Sequence, residues 1–181
     1  MNNNNNELVI TDSDDEVEDN NIIGRVKNIF KKDSYFNTEK NKRCQLKKEI
    51  AAIISYDTFI QRFAYYSPIY GLLVDFRYFK IFAKPIIYDT IINHCISVFN
   101  QSLKESQRST FFIHLNLQGL SLFDIENHYS FICKFAEVMK AKYPTHLEGC
   151  NLYKAPFIVN QLLRIISLFI NKDTQKRFKV V

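Results

Sequence analysis

Apolar positions in this chain come in dense blocks separated by polar stretches, and the spacing inside the blocks changes along the sequence. From Ile22 to Lys48 the chain is polar and basic, with a weak helical repeat at Ile22, Ile23, Val26, Ile29 and Phe30 that predicts a short helix and a linker. Glu49 to Tyr66 reads as helix in two pieces, broken near Ser55 to Asp57, with Asp57 placed to cap the second piece. Ile69 to Phe79, IYGLLVDFRYF, has the aromatic and branched enrichment of a buried strand opened by Pro68 and Gly71. Pro85 to Leu103 returns to a helical repeat through Ile86, Ile87, Thr90, Ile91, Cys95, Val98 and Phe99. After a polar segment, Gln101 to Thr110, the run Phe111 to Leu117 predicts a strand buried on both faces.

A further helix is expected from Phe123 or Asp124, with Tyr129, Ile132, Phe135, Ala136 and Met139 on one side and Tyr143-Pro144 as its stop. A short strand follows at about Gly149 to Tyr153, and Pro156 suits the first turn of another helix. That helix, through Ile170, is apolar on nearly every side, interrupted only by Asn160, Gln161, Arg164 and Ser167. A bilayer span needs roughly 20 apolar residues, so this segment is too short to cross one. Two readings stay open: an enclosed core helix, or a helix with one face on a sheet and the other on a bound apolar ligand. Strand and helix in alternation predict a parallel sheet covered by helices.

Composition narrows this to one α/β domain. The chain has 181 residues, 46% of them hydrophobic, with 16 Phe, 10 Tyr, no Trp and only 4 Gly, enough to fill one core with rings and branched aliphatics. Residues 1–21 are Asn-rich and then acidic, and are expected to be a disordered tail because they cannot bury enough apolar area to offset the entropy of ordering. Residues 22–67 are expected to form the helical segment and linker, and 68–181 the folded domain. Ser13 precedes Asp14, Asp15 and Glu16, an acidic context suited to phosphorylation. The tail holds seven acids and no Lys or Arg, so all 24 basic residues lie beyond it, which makes the folded part distinctly basic and suited to anionic partners. The cluster Lys40, Lys42, Arg43, Lys47 and Lys48 reads either as a solvated face or as a nucleic-acid or nuclear-import patch.

Candidate chemistry is sparse. Cys44, Cys95, Cys133 and Cys150 follow no metal-ligand spacing, and with no secretory leader pattern they point to a reduced, cytoplasmic setting. His94 and Cys95, adjacent on a helix, point apart and do not make a nucleophile and base. His114, His128 and His146 fall in three different elements. The expectation is therefore no catalytic residue, no metal, no cofactor and no enzyme activity. Nucleic acid is a poor partner, because the aromatic residues sit in apolar segments and not among Lys and Arg.

Four ordered motifs resemble the CRAL-TRIO family over about Pro68 to Val181. Leu115-Asn116-Leu117-Gln118-Gly119-Leu120-Ser121 stands where the family has a strand of the type apolar-Asp-x-x-Gly-Leu-Ser, with Asn116 in the place of the Asp. Tyr143-Pro144-Thr145-His146 resembles Tyr-Pro-Glu-Arg, Lys154-Ala155-Pro156 resembles Asn-Ala-Pro, and Thr174-Gln175-Lys176-Arg177 resembles Thr-x-x-Lys. The resemblance implies an α/β fold with a mostly parallel sheet flanked by helices, incomplete at its C-terminal end relative to the family. It also implies a lipid pocket, expected to be lined by Phe112, Leu120, Phe131, Phe157, Leu162, Ile166 and Phe169. Thr174 and Arg177 match the positions that hold a phosphorylated headgroup, whereas Thr145 cannot replace the family's carboxylate. The implied ligand is an anionic phospholipid, a phosphoinositide or another, with weakened selectivity for inositol and peripheral membrane docking or lipid sensing. A protein-binding scaffold or homodimer without lipid is the alternative.

Overall fold

The computed structural model describes residues 13–32 and 55–181. The stretch 1–12 and the basic cluster between 40 and 48 lie outside the described residues. In chain order the elements are α1 (Ser13–Lys32), α2 (Tyr56–Phe63), β1 (Ala64–Ser67), β2 (Gly71–Asp75), α3 (Phe76–Phe82), a short 3-10 turn (Pro85–Ile87), α4 (Tyr88–Ser106) and β3 (Phe111–Asn116). They continue as α5 (Leu122–Asn127), α6 (Tyr129–Lys142), β4 (Leu147–Tyr153), α7 (Val159–Ser167), α8 (Lys172–Gln175) and β5 (Phe178–Val180). The five strands form one sheet in sequence order. β1 runs antiparallel to β2 through a hairpin that pairs Ser67 with Gly71, and β2 to β5 are mutually parallel.

Side chains alternate across a strand, so the sheet has two faces of different character. One face carries Leu72, Cys150 and Leu152 into the main core, where residues of α2 through α7 meet them, among them Phe59, Phe79, Ile91, Ile125, Phe131 and Leu162. The opposite face carries Leu73 and Tyr153 under Val26 and Phe30 of α1. Phe30 meets the Tyr153 ring edge-on at 5.4 Å. The weak repeat at Ile22 to Phe30 is thus the buried stripe of α1. That helix starts at Ser13, inside the segment expected to be disordered.

Several element bounds differ from those expected, through competition between local preferences. The strand predicted over Ile69 to Phe79 stops at Asp75, whose carboxylate accepts the Arg77 backbone N–H at 3.0 Å and caps α3. Phe76, Phe79 and Phe82 then recur at helical spacing and pack on one another, with ring centroids 5.9 Å and 6.3 Å apart. Ser55, not Asp57, caps α2, and that helix gives way to strand at Ala64. The expected boundary at 67/68 falls inside the β1–β2 hairpin. The single helix expected after Phe123 is two: a capping box between Ser121 and Asp124 opens α5, and His128 ends α5 and begins α6. α7 begins at Val159, because Lys154 takes a left-handed conformation (φ 49°) and Pro156 accepts a turn bond from Val159, using up the residues expected for a first helical turn. It ends at Ser167, before Ile170, as Leu168 and Phe169 bond back three residues and Asn171 caps α8.

Candidate functional site

Between the main-core face of the sheet and helices α6 and α7 lies a cavity of about 190 Å³. Val74, Ile113, Leu115 and Cys150 form its floor. Phe131, Ile132, Phe135, Ala136 and Met139 of α6, with Leu162 and Ile166 of α7, form its roof, and Cys95 and Phe99 of α4 close one side. No oxygen or nitrogen offers accessible surface to it. Burial pushes the thiols of Cys95 and Cys150 up to about 12, so they meet the cavity as neutral, apolar groups.

The cavity runs along the strands. At one end stand Leu147 and Phe178, which open β4 and β5; at the other stand Leu117, Leu120, Asp124, Ile125 and His128, beyond the end of β3. The second end is braced by polar contacts on its outer side. Lys80 donates to Asp124 at 2.8 Å and to the Gly119 carbonyl at 2.9 Å, while Ser121 donates to Asp124 through its backbone N–H and its hydroxyl. Burial acts to raise the Asp124 pKa, but the bonds from Lys80 and Ser121 outweigh it and hold the carboxyl below its ordinary value. Burial depresses the His128 pKa, with Lys80 acting the same way and Asp124 against it. Its Nδ1 lies 2.7 Å from the Tyr88 hydroxyl. His94 bonds the Ala64 carbonyl at 2.8 Å and turns away from Cys95 chemistry.

Of the pocket residues expected from the sequence, Leu120, Phe131, Leu162 and Ile166 line this cavity. Phe112, Phe157 and Phe169 do not. Phe112 has the opposite strand parity and lies on the α1 face, Phe157 is 92% exposed in the turn before α7, and Phe169 follows the end of that helix. Thr174 and Arg177 sit together across one turn at the Leu147 end, with the Arg177 N–H bonded to the Thr174 carbonyl at 3.1 Å. The Arg177 guanidinium donates to the Leu147 carbonyl. Thr145 and His146 lie in the turn between α6 and β4, so the cavity gains no carboxylate there. The wall residues Phe76 and Phe79 were hidden by the strand reading of their segment, whereas the α6 wall was visible as the apolar side of a helix.

Residues 71–181 match the family described as CRAL/TRIO domain. The chain belongs to the CRAL/TRIO family. This is a lipid-binding family, and the apolar cavity is lined, apart from Phe63, by residues of the matched region. The crystal structure of Sfh5 is similar to this CRAL/TRIO chain at 14% sequence identity with a TM-score of 0.57, covering 77% of this chain and 54% of Sfh5. The likeness at that identity is one of fold, and the chain spans about half the length of Sfh5. No curated protein matches the chain. Among the described residues no helix is long and apolar enough to cross a membrane, and no group of His, Cys, Asp and Glu could hold a metal ion.

Proposed function

We propose that this CRAL/TRIO chain binds a lipid without chemical conversion, placing an acyl chain in the apolar cavity and an anionic phospholipid headgroup near Thr174 and Arg177. The cavity carries this reading: a space whose wall offers only carbon and sulfur would hold water without partners, and so suits hydrocarbon. Support for the headgroup comes from position. Arg177 bonds the Leu147 carbonyl at one end of the cavity and Thr174 lies one turn away along the backbone, and a guanidinium and a hydroxyl are groups that suit a phosphate oxygen. Phe157 and Leu168, 92% and 73% exposed at the two ends of α7, suit insertion into a lipid surface during loading.

The volume favours a second reading. Small-molecule pockets usually measure about 300–1,000 Å³, and this cavity of about 190 Å³ is smaller, so a two-chain lipid needs α7 to lift from the sheet. A CRAL/TRIO-derived scaffold that binds a protein partner through the exposed ends of α7, or pairs with a second copy, needs no such opening. Native mass spectrometry of the purified chain separates the two. The lipid reading expects a co-purified phospholipid and weaker binding of Arg177→Glu to anionic liposomes. A lipid-free, stable dimer with liposome binding unchanged by Arg177→Glu overturns it in favour of the scaffold.

A further inference from the structure

At the end of the sheet where the β1–β2 hairpin turns and β3 begins, away from the apolar cavity, a second pocket of about 490 Å³ opens between that hairpin, the α4–β3 connection and Ile22 and Ile23 of α1. Its character is opposite to that of the first. At its floor Asn151 is only 6% exposed, and its neighbour in register, His114, is 3% exposed. His114 is fixed in place by the Tyr153 hydroxyl, 2.7 Å from Nδ1. The Asn151 carboxamide makes no hydrogen bond among the described residues, and its polar atoms retain access to space, which here is this pocket. The Ser102 hydroxyl, in a residue 3% exposed, is in the same condition on the pocket's other side. Buried polar groups are almost always hydrogen-bonded in folded proteins, so two left open toward one hollow call for a partner.

We infer that this pocket is a binding site for a small, planar, uncharged nitrogen heterocycle that presents an adjacent hydrogen-bond donor and acceptor, the chemistry of a nucleobase. A carboxamide carries one donor group and one acceptor in one plane and pairs two-pronged with such an edge. The hollow is bounded by ring-bearing residues, Phe112, Tyr66 and Tyr70, which suit stacking against a flat ligand. Phe112 leans over Gly149 so closely that a Cβ there would come within 2.4 Å of the ring, so glycine is what lets the ring lie beside the floor. Charges of both signs, Arg108, Glu105 and Glu148, line the pocket, which gives no strong preference for a charged ligand. The volume falls in the usual range for small-molecule sites. The inference stands independently of the lipid reading, because no residue of this pocket lines the apolar cavity.

Titration of the full chain with adenosine, and separately with nicotinamide, followed by ¹H–¹⁵N spectra, tests the inference. The expected result is a shift of the Asn151 side-chain amide at millimolar ligand or below. Asn151→Asp, which keeps shape and loses the donor pair, is expected to weaken binding about tenfold or more. Ser102→Ala provides a second, milder loss in case the first variant folds poorly. Anionic liposomes are expected to leave the titration unchanged. Binding by neither probe at millimolar concentration, meaning a pocket that holds water only, overturns the inference. So does binding that both variants leave intact.

Discussion

Asn116 donates its side-chain amide to the carboxylate of Asp75 at 3.2 Å, across the C-terminal ends of β3 and β2. Asp75 also takes the Arg77 guanidinium through Nε and Nη2, the latter at 2.5 Å, and both members of that pair are buried. One cation is thus committed to one anion, and Asn116 meets that anion as a neutral donor. Its own oxygen turns to the Gln118 backbone N–H at 3.1 Å. The family pattern has an Asp at this position, and here the identity of the residue follows from Asp75. In Asn116→Asp two carboxylates would face each other at the Arg77 guanidinium, with the donor lost. We expect a destabilisation of about 1–3 kcal/mol at neutral pH, read by urea unfolding. The deficit should shrink as the pH falls through the carboxylate range, since protonating one acid restores a donor. An unfolding midpoint equal to that of the parent chain would disprove this account of the site.

The cavity gives a prediction that separates space from stability. Ala136, on α6, is 5% exposed and lines the cavity. Ala136→Phe should place a ring in the void and remove lipid uptake, while the ring's burial offsets most of the usual overpacking cost of about 1–3 kcal/mol. Leu162→Ala enlarges the same space and should cost about 2–5 kcal/mol, with lipid uptake kept. Native mass spectrometry beside thermal unfolding checks both variants. Lipid retained in Ala136→Phe would mean that the ligand sits elsewhere.

The parallel run of strands was legible because the apolar segments alternate in period, and four motifs in order placed them in a family, whereas β1 and its antiparallel pairing with β2 lay hidden in a segment that reads as helix. What the sequence concealed were contests between two local preferences. Phe76 to Phe82 is as rich in rings as any strand, and only the cap supplied by Asp75 two residues before Arg77 turns it into helix. His128 looks unremarkable within a helical repeat, yet its bond to Tyr88 from a distant helix marks the break between α5 and α6. The pocket residues divided on parity. Leu120, Phe131, Leu162 and Ile166 could be aimed by helix or turn position, whereas Phe112 is adjacent to Ile113 on a strand, and a shift of one residue sends a side chain to the other face. Asn151 gave no signal at all, since a polar residue in a short strand reads as exposed until both neighbouring strands are in place.

Thiol reactivity reports on the same interior. With their pKa values at about 12, Cys95 and Cys150 carry almost no thiolate at mildly alkaline pH and are both buried, whereas Cys133 on α6 is partly exposed. Iodoacetamide followed by peptide mass spectrometry should label Cys133 readily and spare Cys95 and Cys150 until the chain is unfolded. Rapid labelling of Cys150 in the folded chain would show that α7 lifts from the sheet often enough to admit solvent.

The contribution of His128 to stability has a definite sign. Its folded pKa lies below the ordinary histidine value of about 6.5, chiefly through burial, so the unfolded chain binds a proton more readily than the folded one. The neutral ring's stabilisation is therefore complete above about pH 6.5 and declines as the pH falls from there toward the depressed folded value. Asp124 adds a loss of the same sign at lower pH, because its carboxyl is held below the ordinary value and its bonds from Lys80 and Ser121 vanish only on protonation. Unfolding free energy measured across the weakly acidic range should thus fall with acidification, and His128→Gln should flatten that slope. The variant is expected to lose part of its stability at neutral pH as well, since the Tyr88 hydroxyl and the edge contact with Phe79 at 4.9 Å are changed. A slope unchanged in His128→Gln would assign the acid sensitivity to some other group and remove His128 from the account of how this end of the cavity is held.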